Sequence, residues 1–249
     1  MEQPSKTHQQ AIQEEFSRTA EAFADRQRRR YAVLDPVVFS RLEPGQRVLE
    51  VAAGAGTFLA AFDPAASLAV ALDLTRAMLD VARRDHPRIS CVLGDGAGLP
   101  FASGSFDLVA CASAVHHFPD PLPILAEMAR ASRGRVMIVD QFASEDPQEA
   151  AAMTELERLR DPSHAVSRPV SEQRRLLEAA GLSVVDERRV EHDERVSSWT
   201  NSREFPADRI AAVRRFIADR GCDTGMDLRP DGEDWVFRRR MVELLGEPC

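Results

Sequence analysis

Residues 48–57 of this 249-residue chain read Val-Leu-Glu-Val-Ala-Ala-Gly-Ala-Gly-Thr, and no other stretch restricts the fold as much. A short β-like run, Arg47 to Val51, carries an acid and passes directly into small residues. Gly54 and Gly56 let the backbone approach a ligand where a Cβ would clash. The start of a helix, Gly56 to Phe62, follows. A strand, a small-residue loop and a helix in that order open an α/β domain that binds its ligand at the carboxyl ends of the strands.

The pattern that follows alternates in the same way. Leu68 to Leu72 is apolar and ends at Asp73, and Arg76 to Arg84 is helical. Ile89 to Leu93 ends at Gly94-Asp95, Phe106 to Cys111 is a fourth strand, and Pro121 to Ala131 is a helix. Arg135 to Val139 is a fifth strand, ending at Asp140. Short apolar runs separated by helices are the mark of a buried parallel sheet. Upstream, Gln9 to Ala24 carries Ile12, Phe16, Ala20 and Phe23 at helical spacing; Tyr31 to Leu42 continues the pattern until Pro44-Gly45 breaks it.

The last third reads differently. Asp146 to Arg160 is helical, Asp161 to Pro169 is irregular, and Ser171 to Ala180 is a helix capped by Ser171 and stopped by Gly181. Leu182 to Val190 is a sixth strand and Pro206 to Arg220 a helix; Asp234 to Leu245 follows the Asp231-Gly232 turn signal as a closing strand. The expected fold is α/β: a Rossmann-like, doubly wound, seven-stranded sheet, mostly parallel with its last strand antiparallel, carrying N-terminal helices and a helical lid. Residues 1–44 form the helical cap, and residues 45–249 form the binding domain with a lid insertion at about 142–170.

Composition narrows the function classes. The chain is 44% apolar and 29% charged, with a formal net charge of −8. An acidic surface repels nucleic-acid phosphates unless a basic patch overrides it, and the runs Arg26 to Arg30 and Arg238 to Arg240 are short, acid-flanked and read as solvated faces. No run approaches the roughly 18 apolar residues of a membrane span, and Met1 to Glu15 lacks the apolar core of a signal peptide, so a cytoplasmic location is expected. Cys91, Cys111, Cys222 and Cys249 have no metal-type spacing, and Cys91 and Cys111 read as buried free thiols. No metal is expected.

Three carboxylates define the ligand. Asp73 lies at the end of the second strand, where it can accept both hydroxyls of a ribose, a placement that also suits a dinucleotide. Three features favour another nucleoside. The loop has Leu59 where the third glycine of the dinucleotide fingerprint would be. Glu50 precedes the loop, where it would repel a pyrophosphate and attract a cationic amino group. Asp95, after the third strand, offers an acceptor for an exocyclic adenine amine. Three acids suit a positively charged sulfonium nucleoside better than a dianionic one.

The chain resembles the methyltransferase type 11 group of class I enzymes, which includes the ubiquinone and menaquinone C-methyltransferases. The runs that carry the resemblance are VLEVAAGAGTF, ALDLTRAML, GDGAGLPFASGSFDLVACASAVHHFPDP and ERLRDPSHAVSRPVSEQRRLLEAAGL, within about residues 45 to 190. The resemblance implies S-adenosylmethionine as cofactor. Residues matching Ala52, Gly54 and Gly56 line its methionine part in that family, as does the position of Ala112. Asp73 matches the ribose-binding acid, Leu74 and Met78 flank the adenine, and Asp95 with Gly96 matches the adenine-binding pair. The chain departs from the family at Glu50, where Asp is commoner, at Ala52 and Ala53, where Gly is frequent, and at Ser132-Arg133-Gly134, which replaces a proline-glycine-glycine turn.

Methyl transfer from a sulfonium is a direct displacement, so alignment is the protein's main contribution. A phenol, enol or activated carbon must also lose a proton, and histidine is the matched base near neutral pH. His116 and His117 follow the fourth strand, and His164 lies in the irregular segment beside Asp161, which can orient it or pair with Arg160. His117 and His164 are the leading candidates, followed by His116. Asp140 can touch ligand, cap a helix or face solvent.

No Asn-Pro-Pro-Tyr-type motif follows strand four, which disfavours nucleobase or glutamine amines as acceptors. Phe16, Phe23, Tyr31, Phe118, Phe142 and Trp199 are available for an apolar pocket. The expected function is methylation of oxygen or carbon on a small hydrophobic or aromatic metabolite, by a monomer or homodimer without nucleic-acid or membrane partners. The alternatives are a non-methylating reaction on the same cofactor fold, an NAD(P)-dependent reductase, and a catalytically silent binding subunit.

Overall fold

The structure, a computed structural model, describes residues 7–31, 35–200 and 205–249, with backbone alone over 22–30. The side chains of Phe23 and of Arg26 to Arg30 therefore lie outside the described residues, as does part of the Met1 to Glu15 segment.

Among the described residues eight strands form one sheet: β1 (Arg47–Val51), β2 (Leu68–Asp73), β3 (Ser90–Leu93), β4 (Phe106–Ala112), β5 (Ser132–Gln141), β6 (Leu182–Arg195), β7 (Arg229–Asp231) and β8 (Asp234–Pro248). The spatial order is β3-β2-β1-β4-β5-β8-β6, with β7 paired to β8 alone. β1 to β5 pair in parallel, and β8 runs antiparallel between β5 and β6. The seven-stranded expectation thus gains one short strand, formed where Gly232, at φ 65°, turns β7 back onto β8. β8 is antiparallel as expected, yet it inserts inside the sheet rather than closing its edge.

The central strands are buried on both faces, which is why they read as unbroken apolar runs. Residue parity sorts them. Leu49, Val51, Val109, Cys111, Val136 and Ile138 face one core, with Leu125 and Met128 of α4 (Leu122–Ala131) and Leu177 of α6 (Val170–Ala179). Val48, Leu108, Ala110, Met137 and Val139 face the other, against Tyr31, Phe39, Phe58 and Phe62. Those partners belong to or flank α1 (His8–Tyr31), α2 (Pro36–Ser40) and the loop after β1.

Three local expectations differ. The Gly56 to Phe62 helix is only one 3-10 turn, Leu59–Ala61. Side-chain packing of Phe58, Leu59 and Phe62 replaces a longer amphipathic helix there. Ser171 does not cap α6: it lies inside the helix and hydrogen-bonds Glu145. Arg239 of the Arg238 to Arg240 run is 2% exposed rather than solvated, paired with Glu194 and Glu157.

α5 (Pro147–Arg160), α7 (Val196–Trp199) and α8 (Ala207–Arg220) pack a third apolar cluster around Leu156, Trp199, Val213 and Phe237. α3 (Arg76–Asp85) follows β2. Among the described residues no helix is long and apolar enough to cross a membrane.

Candidate functional site

The loop after β1 has an uncommon backbone. Ala52, Gly54 and Gly56 have φ of 55°, 54° and 72°. This left-handed region favours glycine, and a residue with a Cβ there costs roughly 1–2 kcal/mol. Asp73, at the end of β2, fixes the loop: its Oδ2 accepts the Gly54 N–H at 2.8 Å and its Oδ1 accepts the Thr75 N–H at 2.7 Å. Burial pushes the Asp73 carboxyl above its usual range, against the pull of those N–H groups.

A cavity of about 1080 Å³, counting its open mouth, lies over the carboxyl ends of β1 to β4. Ala52, Gly54, Asp73, Leu74, Met78, Asp95, Gly96, Ala112 and His117 all line it. Asp95 accepts the Ala97 N–H through Oδ1 at 2.9 Å. α1 forms the roof with His8, Gln9, Ile12 and Phe16. Gln9 donates to Asp95 Oδ2 at 2.8 Å, Gln13 donates to the Leu74 carbonyl at 3.1 Å, and His8 Nε2 donates to the His117 carbonyl at 2.7 Å. The paired spacings 9/13 and 12/16 put polar and apolar residues on one helix face, and this was the signal available in the sequence for the roof.

Four expected site residues do not line the cavity. Glu50 sits on the β1 face covered by the 3-10 turn, is 1% exposed, and accepts the Leu59 N–H at 3.1 Å. Burial, above all, and the neighbouring Asp73 raise its carboxyl well above the usual range. It anchors the loop from beneath; a side chain on that strand face is directed away from the cavity, which Val51 lines from the opposite face. Gly56 turns the loop and brings it against α3, where an added Cβ would lie 3.3 Å from Ala82 Cβ. His116 and His164 lie behind the cavity wall.

The three histidines form one buried cluster. The His116 ring centroid is 4.2 Å from that of His117 and 5.1 Å from that of His164. His116 Nδ1 meets Asp140 Oδ1 at 2.6 Å, and Asp140 also accepts the N–H groups of His116 and Gln141. Asp140 therefore neither caps a helix nor faces solvent. Burial would raise its carboxyl, but the His116 pair and these hydrogen bonds hold it below the usual range. His164 Nε2 meets Ser167 Oγ at 3.0 Å, and burial with His116 nearby lowers its pKa to about 3.

His117 alone of the three lines the cavity, with the Phe16 ring edge-on at 5.1 Å. Burial, then His116, lowers its pKa to about 4, so the ring is neutral near pH 7. The Asp161 carboxylate bonds Ser163 rather than the His164 ring.

Of the six aromatic candidates, Phe16 and Phe118 line the cavity. Tyr31 packs in the core beneath and bonds Ser113 at 3.0 Å, Phe142 belongs to the opposite core, and Trp199 to the helical cluster. Thr75, Ser113, His8 and Gln9 line the cavity without having been expected there.

These residues fit S-adenosylmethionine. Two carboxylates, Asp73 and Asp95, line the cavity after the ends of β2 and β3 and are acceptors of the kind that ribose hydroxyls and an exocyclic amine require. Leu74, Met78 and Ile124 offer apolar faces for a base, and the backbone of the Ala52–Gly54 loop leaves room for an amino-acid chain. A Cβ at Gly96 would come within 2.9 Å of Val51, so this wall is closely packed.

Comparison with known proteins agrees with the geometry. A methyltransferase domain family model matches residues 49–138. The uncharacterised methyltransferase YcgJ of Bacillus subtilis is 32% identical over 211 residues, 80% of this chain and 83% of that protein. Its crystal structure superposes with a TM-score of 0.78 at 27% identity, covering 86% of this chain and 96% of that one. Demethylmenaquinone methyltransferase of Renibacterium salmoninarum is 42% identical over 101 residues, but the match spans only 40% of this chain and 43% of that enzyme. The chain belongs to the methyltransferase domain family and is a class I S-adenosylmethionine-dependent methyltransferase.

Proposed function

We propose that the protein methylates an oxygen or carbon atom of a small, hydrophobic or aromatic metabolite. The observation that carries this reading is one cavity lined by Asp73, Asp95, Asp120, His8 and His117 among mainly apolar walls. In this reading Asp73 accepts the ribose hydroxyls, Asp95 accepts the exocyclic amine of adenine, and Leu74 and Met78 pack against the base. Ala52, Gly54 and Ala112 make room for the methionine part, while Gly96 backs the adenine. Glu50 and Gly56 act indirectly, by holding the loop.

When bound, S-adenosylmethionine supplies a methyl carbon activated by a positively charged sulfur. The protein supplies alignment, exclusion of water and removal of one proton. Ile12, Phe16 and Phe118 shield the space beside His117, and a neutral imidazole there takes the proton of a phenol, enol or acidic carbon, worth about 10²–10⁴-fold in rate. Residues 1–44 act as a cap, and the insertion at about 142–170 acts as a lid that buttresses His117. The partial match to demethylmenaquinone methyltransferase makes quinol-type acceptors the first to try. The protein works as a monomer or homodimer on a freely diffusing substrate.

The test is a screen of phenols, quinols and acidic carbon compounds with methyl-labelled S-adenosylmethionine. Label is expected in a neutral or weakly acidic aromatic product. Label only in RNA or in protein side chains would overturn the reading.

A further inference from the structure

The Ser163 backbone and side chain together meet a single atom of His117. Nδ1 lies 3.0 Å from the Ser163 carbonyl oxygen and 3.2 Å from Ser163 Oγ. A carbonyl oxygen only accepts. The Ser163 hydroxyl has one hydrogen, and it is directed to Asp161 Oδ1, which also accepts the Ser163 N–H at 2.9 Å. With that hydrogen committed, both neighbours of Nδ1 are acceptors, so Nδ1 must carry the proton. In a neutral imidazole the other nitrogen is then bare.

We propose that Asp161 and Ser163 are positioning residues that lock the neutral His117 ring as its Nδ1–H tautomer and leave Nε2 as the base on the cavity. The assignment of His117 as base rests on the proposed function; the tautomer does not. Asp161 is suited to the task. It is 8% exposed, and although burial raises its carboxyl, His117 and Arg160 hold it well below the usual range, so it remains an acceptor. Ser163 is fully buried. The other groups around His117 are His116 with its Asp140 partner, His164, and Phe16 of α1. None of them has a hydrogen-bond contact to Nδ1 among the described residues.

The sequence places Asp161, Ser163 and His164 in one segment and suggests Asp161 and His164 as partners. Instead the turn closed by His164 N–H to the Asp161 carbonyl, at 3.0 Å, brings Ser163 between Asp161 and the ring of His117. A carboxylate thus reaches the imidazole through a hydroxyl rather than directly.

Long-range proton–nitrogen correlation spectra of the histidine rings at pH 7.5 read the tautomer in the unmodified protein, with His117→Gln identifying the signal by its loss. The expected result is a pyridine-type Nε2 and a protonated Nδ1 on His117. The Nε2–H tautomer in the wild-type protein would overturn the proposal whether or not methyl transfer is found. Asp161→Ala removes the acceptor that holds the Ser163 hydrogen and frees the hydroxyl to donate to Nδ1, so it should raise the Nε2–H population several-fold. With an accepted substrate, kcat should fall about tenfold with little change in KM, while Ser163→Ala, which keeps the carbonyl acceptor, falls less. Unchanged tautomer and kcat in Asp161→Ala would reject the positioning role. A locked Nδ1–H tautomer in a protein that methylates nothing would reject the proposed function instead.

Discussion

The backbone N–H of Gly54 donates to Asp73 Oδ2 across 2.8 Å, so the loop after β1 and the carboxylate ending β2 form one unit. Asp73 serves the cofactor in two ways under this account. It offers its remaining lone pairs to a ribose, and it holds the loop in the shape that admits the methionine part. Asp73→Ala removes both and should weaken S-adenosylmethionine binding by at least about 100-fold, since each hydrogen bond to a charged group contributes roughly 1.5–3 kcal/mol. Gly54→Val forces a β-branched residue to φ 54° and should abolish binding as well. Isothermal titration of each variant, with circular dichroism confirming the fold, checks both; wild-type affinity in either would refute its role.

Ala52 has φ 55° in a loop whose other left-handed positions, at φ 54° and 72°, are the glycines Gly54 and Gly56. The Cβ strains the backbone, and Ala52→Gly relieves it at the cost of some unfolded-chain entropy. The net expectation is stabilisation of up to about 1 kcal/mol. Urea unfolding at neutral pH measures it, and a lowered midpoint would show that the Ala52 side chain contributes packing that outweighs the strain.

Acid should destabilise the protein well before its surface carboxylates titrate. His117 and His164 have folded pKa values near 4 and 3, below the usual 6.5. The unfolded chain therefore binds more protons between those values and 6.5. Their contribution is fully present above pH 6.5 and is lost as pH falls towards 4 and 3, roughly 3 kcal/mol for His117 alone. Glu157, lowered to about 2 mainly by Arg160 and Arg239 against its burial, acts in the same direction over a more acidic range. A thermal-unfolding series from pH 8 to pH 4 should show Tm falling from pH 6.5 downwards, and His117→Gln should flatten that fall. A flat profile to pH 5 would contradict the buried neutral ring.

Glu50 should behave with the opposite sign. Its folded pKa is raised by burial, so the neutral acid is favoured in the fold, and stability is lost as pH rises through that value. Glu50→Gln keeps an acceptor for the Leu59 N–H and removes the ionisation. Tm of the variant should equal or exceed the wild type at pH 8 and lose part of the wild-type decline as pH rises above the usual carboxylate range. A clear loss of cofactor affinity in a stable Glu50→Gln protein would restore a direct role for this carboxylate.

The parallel half of the fold is legible because β1, β2, β4 and β5 are apolar on both faces, and Asp73 and Asp95 mark where two strands end. The order of the distal strands is not. β8 pairs with β5 and β6 through contacts distant in sequence, and the alternation of Trp235, Phe237, Arg239 and Met241 has no local mark of which neighbour it will have. Glu50 lies outside the cavity lining for a simpler reason. Its position next to the glycine loop suggests the ligand, whereas the strand pleat turns it to the other face, against Leu59. His116, His117 and His164 stand out in the sequence as candidates, yet what surrounds them depends on Asp140 and Ser163, which meet His116 and His117 across 24 and 46 residues of sequence.

The most direct measurement is equilibrium binding of S-adenosylhomocysteine and of NADH to the wild-type protein, by titration calorimetry under identical conditions. The account predicts saturable binding of S-adenosylhomocysteine at one site, competed by S-adenosylmethionine and lost in Asp73→Ala, with no heat from NADH. Saturable NADH binding with no response to the sulfur nucleoside would contradict it.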